Sequence, residues 1–139
     1  MTNDEARCSI CGFELWIVVG RLTVSSVGLY DDGRFPGRLL VSLGPHHEHL
    51  EEVPEALVNS FISDIQSAAR VLRKVTGVER VNVAILGNQD PHVHAHLIPR
   101  SPLHEPIPHR SPWEDPRPRQ QLAAADRTRL VHELRRALG

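Results

Sequence analysis

Residues 78–100, VERVNVAILGNQDPHVHAHLIPR, hold the pattern from which the fold is read. Val81, Val83 and Ile85 alternate with less apolar neighbours over 78–86, as a half-buried strand requires, and Gly87-Asn88-Gln89-Asp90-Pro91 ends that strand with turn formers. From His92 to Ile98 the alternation resumes, with histidine at 92, 94 and 96 and apolar Val93, Ala95 and Leu97 between them. Side chains two apart on a strand share a face at a spacing of about 6–7 Å. Three imidazoles therefore line one pocket wall while the intervening residues seal against a core. Imidazoles on loops and helix surfaces need no special explanation, so His47, His49, His104, His109 and His132 receive no catalytic role. Three at strict alternation, followed by Pro99-Arg100, point to chemistry.

Upstream, Phe13–Gly20 and Leu22–Tyr30 are rich in Trp, Ile, Val, Leu and Thr and read as two strands joined at Gly20-Arg21. Asp31-Asp32-Gly33-Arg34-Phe35-Pro36-Gly37 is a turn, and Arg38–Leu43 a third strand stopped by Gly44-Pro45. Pro54 suits a helix start, and Leu57, Phe61, Ile65, Ala68 and Leu72 follow at helical spacing, predicting one long helix over 54–74 with Gly77 as its stop. Downstream, seven of the eleven prolines fall between Pro99 and Pro118. That density bars regular structure and predicts an arm over 101–120 lying across something. A last helix over 121–138 carries Leu130, Leu134 and Leu138. Strands joined without crossover helices give an α+β domain: a five-stranded, mainly antiparallel sheet with one long helix and a C-terminal helix on one side.

The chain has 139 residues, 40% of them hydrophobic, which suits one domain over 1–139 with a single core. Sixteen basic and seventeen acidic residues give a formal charge of -1, too little positive charge to neutralise a phosphate polymer or an anionic membrane. The arginines of the last helix, 127, 129, 135 and 136, are interrupted by Asp126 and Glu133 and read as a solvated face. Met1–Ala6 is polar, and no apolar run reaches the ~20 residues that span a bilayer. A cytoplasmic protein without nucleic-acid or membrane partners is expected.

The two cysteines, Cys8 and Cys11, are too close to staple a secreted scaffold, and their CxxC spacing suits a metal or a redox pair. A redox CxxC of the thioredoxin kind follows a strand and opens a helix, which this one does not. Zinc in a closed structural site takes four ligands, so two histidines must complete the set.

The segment His92-Val-His94-Ala-His96-Leu-Ile-Pro99-Arg100 resembles the HφHφHφφ signature of the histidine triad (HIT) family of nucleotide hydrolases and transferases. The resemblance extends over residues 8–100, through Cys8-Ser-Ile-Cys11, the 31–37 turn, His46-x-x-His49-Leu50 and Leu86-Gly87-Asn88. It implies the five-stranded sheet with its main helix, a homodimer, and a nucleoside α-phosphate substrate of the dinucleoside polyphosphate or phosphoramidate type. The diadenosine polyphosphate hydrolase-like, zinc-bearing bacterial members are the ones it suggests.

The family makes the middle histidine, His94, the nucleophile that forms a nucleotidyl-histidine; neutral imidazole can attack near neutral pH without a separate base. Asn88, Gln89, the 88–92 amides and His96 are placed to donate to the phosphoryl oxygens, and His96 also to protonate the leaving group. The family places an acid after the second strand against the ribose hydroxyls, and Asp31 is preferred to its neighbour Asp32. Zinc-bearing members take a histidine after the third strand and the first of the triad, which gives Cys8, Cys11, His46 and His92 as the metal set. His47 or His49 is the rival ligand. Two rival functions accompany this reading: a zinc-stabilised nucleotide-binding module without catalysis, suggested by the short 87–91 loop, and a hydrolase in which His92, His94 and His96 share a catalytic ion. Trp113 could close over a nucleotide or anchor the arm.

Overall fold

A computed structural model of the chain describes residues 7–139; the polar start at 1–6 lies outside the described residues. Strands β1 (Ile17–Arg21), β2 (Ser25–Leu29) and β3 (Leu39–Leu43) precede helix α1 (Glu55–Thr76), strands β4 (Arg80–Ala84) and β5 (His94–Arg100), and helix α2 (Ala124–Leu138). The sheet runs β1-β2-β3-β5-β4 with every neighbouring pair antiparallel. The α+β architecture expected from the sequence is the one observed.

One face of the sheet is covered by the helices. Phe61, Ile65, Ala68 and Leu72 of α1 and Leu130 and Leu134 of α2 are buried against Val27, Leu29, Leu39, Val41, Leu43, Ala95 and Leu97. Burial of this size supplies the driving force of the fold, at roughly 25 cal/mol for each Å² of apolar surface removed from water. Gly77 ends α1 in the left-handed conformation, its N–H donating to the Arg73 carbonyl. Asp64 joins that helix to the β1–β2 hairpin: its carboxylate accepts from the Thr23 and Val24 amides and the Ser25 hydroxyl at 2.7–3.1 Å.

Strands β4 and β5 and helix α1 fall within two residues of the expected ends, with His92 just ahead of β5; three other boundaries differ because a tertiary partner wins over local preference. Residues 13–16 are not strand: β1 starts at Ile17, where pairing with Leu29 begins. Leu15 instead lies over β2, so close that a Cβ on Gly28 would sit 2.6 Å from its own. The hairpin turn falls at 22–24, closed by the Leu22 N–H to the Ser25 carbonyl, rather than at Gly20-Arg21. The last helix starts at Ala124, because the Leu122 amide donates to the Asp31 carboxylate at 2.8 Å. The proline-rich arm crosses the 31–36 turn: the Gly33 amide donates to the Gln120 carbonyl, and Arg117 to the Arg34 carbonyl. Among the described residues no helix is long and apolar enough to cross a membrane.

Candidate active site and metal centre

The sheet's other face carries the polar chemistry. Because β5 alternates, Ala95 and Leu97 enter the core while His94 and His96 stand on the uncovered side, their ring centroids 5.2 Å apart. His92 precedes the strand by two residues and keeps to the same side, 5.4 Å from the His46 ring. Register with β3 sets Leu40 opposite His96 and Ser42 opposite His94.

His94 is buried, with Phe13 packed edge-on at 4.7 Å. Its Nδ1 lies 2.6 Å from the His92 carbonyl. A carbonyl only accepts, so Nδ1 carries the proton and Nε2 keeps its lone pair. Sequence placed His94 on the wall; this contact fixes its tautomer.

His96 is held differently. An Arg38 guanidinium N–H donates to its Nδ1 at 2.9 Å, which leaves the proton on Nε2. Burial first, then the Arg38 cation and the neighbouring His94 ring, pulls the His96 pKa down to about 4, so the ring is neutral at physiological pH. Arg38 also donates to Asp32 at 2.9 Å, and Asp32 takes a second, forked pairing from Arg34. Asp32 is fully buried; burial raises its pKa, but the Arg34 bonds and the two guanidinium charges outweigh that and hold it below the usual carboxylate range.

His94 and His96 share a cavity of about 410 Å³ with Asn88, Gln89, Arg38, Tyr30, Trp113 and Arg119. A neighbouring cavity of about 630 Å³ holds Phe13, Leu15, Trp16 and Asp31, and the two have Tyr30, Leu40, Asp90 and Arg119 in common. Every residue expected at the substrate thus lies on one of two adjoining cavities. Of the two adjacent acids, Asp31 reaches a cavity, while Asp32 is committed inward. Arg38, Tyr30 and Arg119 were not singled out as site residues by sequence, while Trp113, whose role the sequence left open, stands on the cavity wall. Arg38 carried a signal, as the one charge in the apolar strand RLLVSL. Trp113 and His96 pack edge to face with ring centroids 5.7 Å apart, Trp113 standing on a short 3-10 turn at Pro112–Glu114 whose start is closed by reciprocal Ser111 and Glu114 bonds.

Cys8, Cys11, His46 and His92 each bring one ligand atom to a cluster spanning no more than 4.8 Å, so these four residues are positioned to bind a metal. Cys8 Sγ is 3.5 Å from His46 Nδ1, and Cys11 Sγ is 3.5 Å from His92 Nδ1. A tetrahedral zinc, with bonds near 2.3 Å to sulfur and 2.0–2.1 Å to nitrogen, sets such pairs about 3.6 Å apart. The donor set fits the ion. His92 Nε2–H donates to the Leu43 carbonyl at 2.6 Å, which turns the Nδ1 lone pair toward the thiols. The Cys8 thiol is drawn down to about 7 despite the opposing push of burial, by amide bonds from Cys11 and Ile10 and by the Cys11 and His46 side chains. His49 is exposed and 3.8 Å from Glu52, away from the cluster. The three triad histidines do not converge on a common point: His92 Nδ1 faces Cys11, His94 Nδ1 the main chain, and His96 Nδ1 a guanidinium cation.

The HIT domain profile matches residues 17–103. The chain belongs to the HIT domain family. Over 72 residues it is 32% identical to an uncharacterized HIT-like protein of Methanocaldococcus jannaschii, a match covering 48% of this chain and 55% of that one, so the chain spans about half the length of this curated relative. A histidine triad protein from Bradyrhizobium japonicum superposes with a TM-score of 0.78 at 27% identity, covering 88% of this chain and 90% of its own. Two further structures share the fold at lower identity. A zinc-bound histidine triad family protein from Mycobacterium smegmatis has a TM-score of 0.62 at 21% identity, over 87% and 82% of the two chains. The diadenosine triphosphate hydrolase of Plasmodium falciparum has 0.62 at 15%, over 91% and 78%. HIT proteins thus include hydrolases, and this chain carries that family's fold and triad.

Proposed function

We propose that this HIT protein is a nucleotide phosphohydrolase in which His94 attacks a nucleoside α-phosphate and carries the nucleotidyl group on Nε2. The observation behind this is the His92 carbonyl bound to His94 Nδ1, because it dictates which nitrogen keeps a lone pair and aims it into the cavity of Asn88, Gln89 and His96. In the first step Nε2 bonds to phosphorus as the bond to the leaving group breaks. The leaving group departs with that electron pair and takes up a proton from solvent. Water oxygen then bonds to phosphorus, the P–N bond breaks back to His94, and the water's proton is released.

Within this reading, Asn88, Gln89 and the neutral Nε2–H of His96 donate to phosphoryl and leaving-group oxygens, whose charge grows on the way to the transition state. Asp31 holds the ribose hydroxyls through the oxygen not taken by Leu122. The substrate is a dinucleoside polyphosphate or a nucleoside phosphoramidate. Zinc on Cys8, Cys11, His46 and His92 supplies a structural cross-link and takes no part in the bond changes. A cytoplasmic homodimer without nucleic-acid or membrane partners completes the proposal; edge strand β4, with Val83 on it and Leu86 just beyond it about half exposed, supports pairing with a second copy.

Purified protein incubated with adenosine and guanosine forms of both substrate classes tests the reading, with products separated by chromatography beside His94→Ala. The unmutated protein is expected to release nucleoside monophosphate, and the variant to lose at least about 10⁴-fold in rate while keeping its circular dichroism. A folded, active His94→Ala protein would sink the mechanism. Nucleotide binding by calorimetry without product from any substrate would make the chain a zinc-stabilised binding module instead.

A further inference from the structure

Arg38 is an expensive residue to bury. It is 5% exposed, its Nε is the one fully buried side-chain polar atom without a partner among the described residues, and it shares its only carboxylate partner with Arg34. Leucine would fill this position just before β3 with less desolvation, as Leu39 and Leu40 do beside it. What the guanidinium does that no apolar side chain can do is donate to His96 Nδ1.

We propose that Arg38 is a positioning residue: anchored by Asp32, its guanidinium fork holds His96 in the single tautomer that presents Nε2–H to the phosphate opposite His94. The proposal rests on the nucleotidyl-histidine reading for its catalytic consequence. Its structural content, the tautomer, stands without it.

Three features of the geometry support this. The two Nη atoms divide the work, one on Asp32 at 2.9 Å and the other on His96 at 2.9 Å, so the planar fork fixes the direction of each bond. The face of the Tyr30 ring lies 4.2 Å from the guanidinium carbon and leaves it no alternative pose on that side. An unassisted neutral imidazole also populates the Nδ1–H form, which would present a lone pair, not a proton, to an anionic phosphate. The groups facing His96 are Tyr30 just after β2, Arg38 just before β3 with Asp32 behind it, His94 on its own strand and Trp113 from the arm, with Arg34, Asp90 and Arg119 around the same cavity. Arg38 is the only one of them bonded to its Nδ1.

Long-range ¹⁵N–¹H correlation of the histidine rings in the zinc-loaded full chain decides the structural claim without any variant. His96 is expected with an unprotonated Nδ1 and a protonated Nε2, and with no titration down to about pH 4. A protonated Nδ1, or a ring averaging between tautomers, would overturn the proposal. Arg38→Gln removes the cation. It is expected to mix the tautomers, to move the His96 midpoint upward toward the ordinary ~6.5, and to lower kcat about 10- to 100-fold with KM changed less than about threefold. Arg38→Lys keeps the charge but lacks the fork, so the midpoint stays low while the tautomers mix; this second variant and the unmutated protein decide the matter should the glutamine variant not fold. Retention by Arg38→Gln of both the single tautomer and kcat would refute the role. A protein with no turnover whose His96 tautomer nonetheless depends on Arg38 would leave this inference standing and remove the phosphohydrolase reading.

Discussion

Asp32 carries a burden out of proportion to its size, since one carboxylate with no exposed surface answers two guanidiniums. Replacing it with asparagine keeps the volume and removes the charge, leaving Arg34 and Arg38 to repel each other around a neutral amide. A buried pair broken on one side costs about 3–5 kcal/mol, and Asp32→Asn is expected to lose about 3 kcal/mol in urea unfolding. The pH dependence carries the same sign. The folded-state pKa lies below the unfolded ~3.9, so Asp32 contributes stability above that value and loses it as pH falls through the depressed folded value. The acid-unfolding limb of Asp32→Asn should accordingly be flatter than that of the unmutated protein. An equal stability for both proteins at pH 7 would mean that the arginines find solvent on their own. Little of this was visible in the sequence. Asp31 and Asp32 are adjacent and chemically identical, and only the direction each side chain takes at the end of β2 separates an inward ion-pair anchor from a residue on the cavity wall.

At the level of elements, the turn between β2 and β3 delivers Arg38, and Gly37 sets how tightly that turn meets the end of α1. Gly37 has φ of 102°, outside the range other residues adopt without strain, and a Cβ there would lie 2.8 Å from Thr76 Cγ2 and 3.4 Å from Leu72 Cδ1. Gly37→Ala is expected to lose about 1–3 kcal/mol in urea unfolding with an unchanged m-value; full stability would show that the helix end yields without cost. Elements with a strong period were legible from the residues alone. The stripe Phe61, Ile65, Ala68 and Leu72 gave α1, and the 92–98 alternation gave β5, because burial on one face leaves its period in the sequence. Where the period breaks, the reading failed. Phe13, Leu15 and Trp16 look like strand residues but line the cavity beside the site, and the first residues of the expected C-terminal helix are diverted into a hydrogen bond with Asp31. In both places a contact distant in sequence outweighs local propensity, and such a contact leaves no local trace.

For the whole molecule, the site is closed by segments from opposite ends of the chain. The loop of Cys8 and Cys11 brings Phe13 edge-on against His92 and His94, while the proline-rich arm brings Trp113 against His96. The arm is anchored by main-chain and arginine bonds to the 31–34 turn. The N-terminal loop has few such ties: the Cys8 amide bonds to the Phe13 carbonyl and the Gly12 amide to the Cys8 carbonyl, both within the loop. Beyond the packing of Phe13, its long-range hold comes from Cys8 and Cys11 beside His46 and His92, which sit on separate segments flanking the sheet. A ligand that binds only the folded state stabilises it by RT ln(1 + [L]/Kd), about 4 kcal/mol at a thousandfold excess over Kd. Stripping zinc with a strong chelator is therefore expected to lower Tm, and readdition of zinc to restore it. Because an ion on these four residues would tie one loop and not the core, amide exchange should accelerate first at residues 8–13 on its removal, with Leu39–Leu43 protected until global unfolding. Cys11→Ser should reproduce both effects and no longer respond to zinc. A stripped protein with the same Tm and the same protection at 8–13 as the loaded one would leave the loop to be held by Phe13 and Leu15 packing alone.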